Sequence, residues 1–177
     1  KGLKSGGGRR LPHFFIKKRL YTFMIDKTAL KEVVTDALAD SNIFLVSVEV
    51  SADNRIVVEL EKTEGNITID DCIEINNVIE ANFDRDKEDY ELEVGSAGLT
   101  SPFKVKAQYD KNIGNQVEVL TCDGRKLKGL LKAAGDTDFT IAITKKVKPE
   151  GAKRPIMVDE DETLNYNEIK YTKNIID

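Results

Sequence analysis

The sequence predicts an α+β protein with two domains: an N-terminal αββαβ two-layer sandwich and a small β-barrel. Three observations lead to this prediction. Helical and alternating apolar patterns follow one another in residues 24–94, a segment rich in turn-forming residues occupies positions 95–102, and only short alternating stretches occur afterwards. We therefore place one domain at residues 24–102 and the barrel at residues 103–177.

The first patterned segment is a helix with one apolar face. Its apolar residues follow i, i+3, i+4, i+7, i+8 spacing and are Leu30, Val33, Val34, Ala37 and Leu38. Asp26 or Thr28 can cap its start. Residues 44–50 and 56–60 then alternate apolar and polar side chains around a turn at residues 51–54, which predicts a hairpin with one buried face.

A second helix and a third strand complete the first domain. Thr68 and Asp71 resemble a capping box, with Asp in place of the usual Glu. We expect the inward face of this helix to consist of Ile69, Cys72, Ile73, Asn76, Ile79 and Phe83. Alternation at residues 90–94 predicts the third strand.

The second domain is predicted to contain strands only. Residues 117–121 alternate, Asp123 and Gly124 supply a strong hairpin signal, and a return strand follows. Further strands are expected at residues 139–143, 156–158, 163–166 and 171–176, with a basic loop at 145–155 and a solvated acidic turn at 159–162. Short strands in this number favour a closed barrel, which removes exposed edges. Gly129 in mid-strand fits a sharp bend where a side chain would obstruct.

Charge is divided unevenly along the chain. Residues 24–103 carry six basic and nineteen acidic side chains, a net charge of −13, whereas residues 104–154 carry twelve basic and six acidic ones, a net charge of +6. Such asymmetry suggests a polyelectrolyte or a basic protein as partner. The alternative is that the acidic helices are simply solvated.

Residues 1–23 form a basic leader with seven Lys or Arg and no acid. A segment of this composition can be a transit peptide or an RNA-binding arm. We favour a third interpretation, in which patterned sequence starts at Met24 and the leader is disordered or not part of the native protein.

The sequence gives little support to catalysis. Its one histidine, His13, lies in the leader, and Cys72 and Cys122 are far apart, so a closed zinc site is not expected. We predict no catalytic residue, no metal and no cofactor, and hence no enzyme. One enzymatic alternative is a magnesium-dependent nuclease that uses Asp70, Asp71 and Glu74, although carboxylates in the first turn of a helix already complement its dipole.

RNA binding is better supported, because basic residues cluster around the predicted barrel hairpin and beyond it. The candidates are Arg125, Lys126, Lys128, Lys145, Lys146 and Lys148. Lys126, Lys128 and Lys132 have the same parity along one strand and can share its outward face. Contacts from such a row to phosphates would be salt-sensitive. The alternative is that these lysines protect strand edges and aid solubility.

Several segments, in order, resemble one protein family. YELEVGSAGLTSPF at residues 90–103 resembles the interdomain junction of the bacterial ribosome maturation factor RimP family. Residues 68–72, 108–114, 123–129 and 164–170 are similar to further RimP motifs, so the resemblance spans almost all of the chain from Met24. Thr100 and Ser101 depart from the Asp-Arg pair usual in the family, and Asn76 and Asn77 depart from Ser-Arg.

The resemblance implies a cytoplasmic, monomeric assembly factor with an Sm-like or SH3-like second domain. Such a factor binds immature small (30S) ribosomal subunits through ribosomal RNA and a basic ribosomal protein, assists their maturation and then leaves. We expect Gly95, Ser96, Gly98 and Pro102 to shape the interdomain junction, and Gly114, Asp123, Gly124 and Gly129 to shape the barrel. The alternative is a standalone Sm-like RNA-binding protein, which would form rings.

Overall fold

The computed structural model of the chain describes residues 25–147 and 156–176. The predicted leader, Lys148 and the remainder of the predicted basic loop lie outside the described residues. The helices and strands, in chain order, are α1 (Lys27–Leu38), β1 (Ile43–Val50), β2 (Arg55–Lys62), α2 (Ile69–Asn82), β3 (Glu91–Ser96), α3 (Lys106–Lys111), β4 (Gln116–Thr121), β5 (Lys126–Ala134), β6 (Asp138–Val147), β7 (Ile156–Asn165) and β8 (Ile169–Asn174).

The first five elements confirm the predicted αββαβ order. Strands β1, β2 and β3 form one sheet in that order, which we call the N-terminal sheet. β1 and β2 are antiparallel, and β2 and β3 are parallel, so α2 is the crossover that parallel neighbours require. Leu30 and Val34 from α1, Ile56 and Leu60 from β2 and Ile79 from α2 are fully buried in one apolar core.

Both helices begin at the predicted caps. The Asp26 carboxylate accepts a hydrogen bond from the Thr28 backbone N–H at 2.7 Å. The Thr68 hydroxyl accepts one from the Asp71 N–H, while the Asp71 carboxylate accepts one from the Thr68 N–H at 2.7 Å. Two N–H groups without a helical partner are therefore satisfied reciprocally, as a capping box requires. Asp71 also forms a salt bridge with Lys62 at 2.6 Å.

The predicted inward face of α2 is partly wrong. Ile75 and Ile79 are the buried residues of this helix, whereas Ile69 is 79% exposed and Ile73 is 51% exposed. Two rows of isoleucine run along α2 at helical spacing, and the sequence pattern does not say which row faces the sheet. The narrow three-stranded sheet covers only the row through Ile75, and the other row is left beside β3.

Strands β4–β8 form a second antiparallel sheet, the C-terminal sheet, in the order β7-β6-β5-β4-β8. One apolar core collects side chains from β4, β5, β6, β7 and α3, which are Tyr109, Val117, Val119, Leu131, Phe139, Ile141, Ile143 and Leu164. Within residues 25–147 and 156–176 no ladder joins the two edge strands β7 and β8.

The structure corrects the prediction for the acidic segment at residues 159–162. These residues lie in the middle of β7, one continuous strand where we expected two strands and a turn. Lys145 and Lys146 likewise belong to β6 and not to a loop. Acidic residues are poor strand formers, but here β7 pairs along the whole length of β6 and faces basic side chains, which offsets that preference.

The prediction of strands alone after residue 103 is also wrong, because α3 and a short 3-10 helix (Tyr166–Glu168) are present. The Gln108 side chain, 2% exposed, accepts a hydrogen bond from the Lys104 backbone N–H at 2.7 Å. A six-residue helix is too short for a periodic pattern, so this side-chain contact was not visible in the sequence. Among the described residues, no helix has the length and apolar character needed to cross a membrane.

Candidate nucleic-acid interface

The hairpin between β4 and β5 presents the first basic candidates. The backbone N–H of Thr121 donates to the Arg125 carbonyl at 3.0 Å, which leaves a loop of three residues. Gly124 ends this loop with a φ of 91°, a left-handed conformation that favours glycine. The Thr121 hydroxyl and then the Arg125 side chain donate to Asp123 and lower the pKa of its carboxyl group to about 2. Asp123 therefore shapes the turn and stays ionised.

Arg125 itself is held by two carboxylates. Its Nε donates to Asp123 at 2.9 Å, and its Nη1 donates to Glu162 of β7 at 2.8 Å. The bond to Glu162 is the main cause of its raised pKa. A guanidinium with two such partners offers little net positive charge to a phosphate, so the structure weakens the case for Arg125 as an RNA contact.

The same matching of charge continues along strands β5, β6 and β7. Lys132 Nζ lies 2.8 Å from Asp161, and Lys145 Nζ lies 2.8 Å from Glu160. We call the set Arg125, Lys132, Lys145, Glu160, Asp161 and Glu162 the matched pairs. Because side chains alternate along a strand, the pair of Lys132 and Asp161 lies on the face of the sheet opposite to Glu160 and Glu162. The matched pairs hold three bases and three acids, and their acids all come from the strand segment that we had predicted as a solvated turn.

Strands β4, β5 and β8 present a different arrangement, which we call the Glu118 cluster. Glu118 lies on β4 with its side chain only 8% exposed. Three ammonium groups surround its carboxylate: Lys126 Nζ at 3.1 Å, Lys173 Nζ at 3.6 Å and Lys128 Nζ at 4.0 Å. The Tyr171 hydroxyl donates to the same carboxylate at 3.0 Å.

The Glu118 cluster carries one negative and three positive charges. The hydrogen bond from Lys126 is the main reason that the pKa of Glu118 is lowered, so the carboxylate stays ionised. The lysine side chains remain between 37% and 63% exposed. A net charge of two on one face, with the ammonium groups open to water, is suited to phosphate contacts.

The sequence placed Lys126 and Lys128 together, but it missed the other members of this cluster. Glu118 pairs with Lys128 on one side and with Lys173 on the other, so the strand register creates the group. The one available signal was Glu118 as a single acid inside the apolar strand β4. Lys146 is exposed and makes no ion pair within the described part of the chain. Lys148, the sixth candidate, lies outside it.

At two further positions, Gly129 in β5 and Gly114 just before β4, the structure requires glycine. A Cβ on Gly129 would lie 2.4 Å from the Ala142 carbonyl oxygen of β6, much closer than any real side chain approaches a backbone. Gly114 has a φ of 91°, and its N–H donates to the Leu131 carbonyl at 2.8 Å. Glycine is therefore required by a close approach at one position and by backbone conformation at the other.

The four junction residues are spread over two kinds of structure. Gly95 and Ser96 are the last residues of β3, so the turn starts later than the sequence suggested. The Ser101 N–H donates to the Gly98 carbonyl at 2.8 Å and closes the turn. Pro102 then leads into Phe103, whose N–H donates to the Thr172 carbonyl of β8 at 2.7 Å.

Polar contacts join the two sheets just beyond this turn. Lys104 Nζ lies 2.7 Å from Glu59 of β2, and Lys111 Nζ lies 3.3 Å from Glu61. Gln108 Nε2 donates to the same Glu61 at 2.5 Å. The acidic end of β2 thus meets the basic start of the second part of the chain, and the charge asymmetry seen in the sequence is partly used inside the molecule.

The acidic alternative site receives no support. The Asp71 carboxylate is hydrogen-bonded to Lys62 and to Thr68. These hydrogen bonds, of which the one from Lys62 contributes most, lower the pKa of the carboxyl group to about 2. Within the described residues there is no group of three or more His, Cys, Asp or Glu side chains that could hold a metal ion.

The chain is similar to a well-defined set of proteins. The RimP N-terminal domain family matches residues 33–100, which run from α1 to the turn after β3. The ribosome maturation factor RimP of Porphyromonas gingivalis is 40% identical over 153 residues, which cover 86% of this chain and 100% of the relative. RimP of Flavobacterium psychrophilum is 32% identical over 148 residues (83% and 95%), and RimP of Christiangramia forsetii is 33% identical over 135 residues (76% and 86%). The chain belongs to the RimP family.

Proposed function

We propose that this protein is a ribosome maturation factor of the small (30S) subunit. It acts in the bacterial cytoplasm as a monomer, binds immature subunits through ribosomal RNA and a basic ribosomal protein, and catalyses no reaction. The observation that carries the proposal is the 40% identity, over 86% of this chain, to a protein named ribosome maturation factor RimP.

The division of charge supports the proposed partners. The Glu118 cluster offers exposed ammonium groups of net positive charge on one face of the C-terminal sheet, which suits phosphates. Residues 24–103, by contrast, have a net charge of −13, which repels RNA and attracts a cationic protein. The N-terminal sheet would therefore contact ribosomal protein and the C-terminal sheet ribosomal RNA.

We also propose that the chain has two domains, at residues 24–102 and 103–177, and that the second is an Sm-like barrel. Each sheet has its own apolar core. The C-terminal sheet wraps one core with side chains from several strands, and Gly129 permits the close approach of β5 to β6 that a tightly curved sheet needs.

The proposal is tested by sedimentation of tagged protein from cells on a density gradient at low and high salt. We expect co-migration with small subunits, enriched in immature ones, absent from whole ribosomes and lost at high salt. Protein that stays at the top of the gradient even at low salt would contradict the proposal.

The second candidate is a standalone Sm-like RNA-binding protein. The observation in its favour is that, within residues 25–147 and 156–176, β7 and β8 are edge strands of the C-terminal sheet, because rings of such barrels form by pairing of edge strands between copies. A measured solution mass of several chains would favour this candidate, and the mass of one chain would exclude it.

A further inference from the structure

An open groove, mainly apolar, lies between α2 and β3 of the N-terminal sheet. Its lining residues are Ile69, Cys72, Ile73 and Asn76 of α2 and Leu92, Glu93 and Val94 of β3. The groove has a volume of about 380 Å³. Ile69 is 79% exposed and Ile73 is 51% exposed. Adjacent exposed isoleucines in a concave site commonly mark a surface that another molecule covers.

The strand that borders this groove is an edge strand. β3 pairs with β2 on one side, and within the described residues no strand lies on its other side. Edge strands offer free backbone N–H and C=O groups to a further strand, and proteins usually protect them with charged side chains, bulges or a covering element. The side chains of β3 on the groove side, Leu92 and Val94, are apolar, and the charged side chains that alternate with them are both acidic, Glu91 and Glu93. These acids oppose pairing with an acidic strand and favour pairing with a basic one.

The acidic side chains around the groove favour a cationic occupant. Helix α2 contains four acids and no base, and two of them, Asp70 and Glu74, make no ion pair among the described residues. A second copy of this chain would bring the same acids against each other, and RNA would be repelled. A cationic protein segment is attracted instead.

We propose that the α2–β3 groove binds an extended, cationic segment of a partner protein. The segment adds to β3 as a fourth strand, and its apolar side chains enter the groove at every second position. Its Lys or Arg side chains then point to the opposite face, beside Glu91 and Glu93 of β3, whose side chains are 82% and 62% exposed. Strand addition of this kind takes affinity from main-chain hydrogen bonds and specificity from side-chain pockets. The proposal rests on the proposed function only in taking the segment to be part of a basic small-subunit ribosomal protein.

The chain contains one thiol that reports on this groove and a second thiol that serves as an internal control. Cys72 lines the groove, and its partial burial raises the pKa of its thiol, whereas Cys122 is exposed at the β4–β5 hairpin. The probe is a short peptide that alternates lysine and valine, added during alkylation of the native protein with iodoacetamide. At about ten times its dissociation constant it should slow the alkylation of Cys72 roughly tenfold and leave that of Cys122 unchanged.

Control peptides separate strand addition from simple attraction of charge. A peptide that alternates glutamate and valine, and a lysine–valine peptide with N-methyl groups on alternate amides, should both fail to protect Cys72. Equal protection by the N-methylated peptide would overturn strand addition. Equal alkylation rates with and without the lysine–valine peptide would overturn the site itself.

The variant Ile73→Lys tests the same groove in the full chain. Its matched control is Ile113→Lys, because Ile113 is 47% exposed in the turn between α3 and β4 and the substitution adds the same charge. We expect Ile73→Lys to abolish peptide protection and to weaken binding to immature small subunits at least about tenfold relative to Ile113→Lys, the loss expected of one central anchor residue. If both variants bind subunits as the unaltered protein does, the groove is not the protein-binding site.

The gradient experiment with unaltered protein keeps the two proposals apart. Unaltered protein that co-sediments with small subunits, together with an Ile73→Lys variant that does so equally well, refutes the groove and leaves the proposed function standing. Protein that never co-sediments refutes the proposed function, while protection of Cys72 by the lysine–valine peptide would still support a site for cationic strands.

Discussion

The two groups of basic side chains on the C-terminal sheet look alike in the sequence and differ in the structure. In the matched pairs, Arg125, Lys132 and Lys145 each lie 2.8 Å from an acid of β7. In the Glu118 cluster, three lysines share one carboxylate. Each group has three basic side chains, but only the second has a net positive charge.

The difference shows that charge counted along a chain is not the charge that a surface presents. The acids of the matched pairs lie between 15 and 37 positions away from the bases they meet, and only the pairing of β5, β6 and β7 brings them together. Salt bridges between exposed side chains contribute little to stability. The effect of the matched pairs is therefore electrostatic, since they leave the Glu118 cluster as the more positive group.

The largest change in stability is expected at Gly129, the residue that allows β5 and β6 to approach each other closely. A Cβ at Gly129 would lie 2.4 Å from the Ala142 carbonyl, so Gly129→Ala forces the strands apart and should lower the free energy of unfolding by about 1–3 kcal/mol. Gly95→Ala is the control, because no atom lies within 4 Å of its Cβ position. Urea unfolding of both variants measures the difference. Equal stabilities would mean that Gly129 is not needed for the approach.

Glu118→Gln sharpens the comparison because it should act in opposite directions on stability and binding. Three ammonium groups would lose their shared counter-charge, so the melting temperature should fall at low salt and recover at high salt. The affinity for immature subunits should rise, and the plot of log K against log salt should steepen by about one unit. Weaker binding with an unchanged fold would show that Glu118 positions the lysines and does not only oppose them.

The hairpin aspartate gives a pH-dependent effect. The Thr121 hydroxyl and the Arg125 side chain hold the pKa of Asp123 at about 2, below the ordinary value of 3.8. A lowered pKa in the folded state contributes stability that is present above the ordinary value and is lost as pH falls through the folded value. The difference in melting temperature between the unaltered protein and Asp123→Asn should thus be largest above pH 3.8 and shrink toward pH 2.

The control for this measurement is Asp136→Asn, which removes an exposed carboxyl group that makes no hydrogen bond among the described residues. It should show no comparable change over the same range. A pH dependence in Asp123→Asn identical to that of the unaltered protein would contradict the role given to the carboxylate.

The smallest change in stability is expected for the matched pairs. Lys132 and Asp161 are 47% and 53% exposed, so Lys132→Gln should change the free energy of unfolding by less than about 0.5 kcal/mol. Thermal unfolding at moderate salt measures this change. A loss above about 1 kcal/mol would mean that the charge pairs hold β7 in place.

The parts that sequence reasoning predicted correctly depend on local signals. The caps at Asp26 and Thr68, the order of the first five elements and the turn at Gly124 each follow from a few neighbouring residues. Errors arose where distant contacts decide. The acids of β7 form a strand because β6 pairs with them, and α3 is stabilised by the buried side chain of Gln108. Which face of α2 is buried depends on how far the narrow three-stranded sheet extends beneath the helix.

Distant contacts also explain why the candidate site was predicted only in part. Lys126 and Lys128 could be placed on one face from the period of a strand, but Lys173 joins them only through the β4–β8 register. Arg125 and Lys145 looked equivalent to them, because no local signal shows that Glu160 and Glu162 lie opposite. Sequence reasoning therefore found the basic character of residues 104–154 and not the group of side chains that retains a net positive charge.

The claim that the lysines of the Glu118 cluster are the ones that contact ribosomal RNA is tested most directly with two matched triple variants. The measurement is the salt dependence of their binding to immature small subunits. One replaces Lys126, Lys128 and Lys173 by Gln, and the other replaces Arg125, Lys132 and Lys145 by Gln, so each removes three positive charges. The account predicts that the first flattens the plot of log K against log salt by about two units and the second by less than about one. Equal flattening, or a larger effect of the second variant, would contradict it.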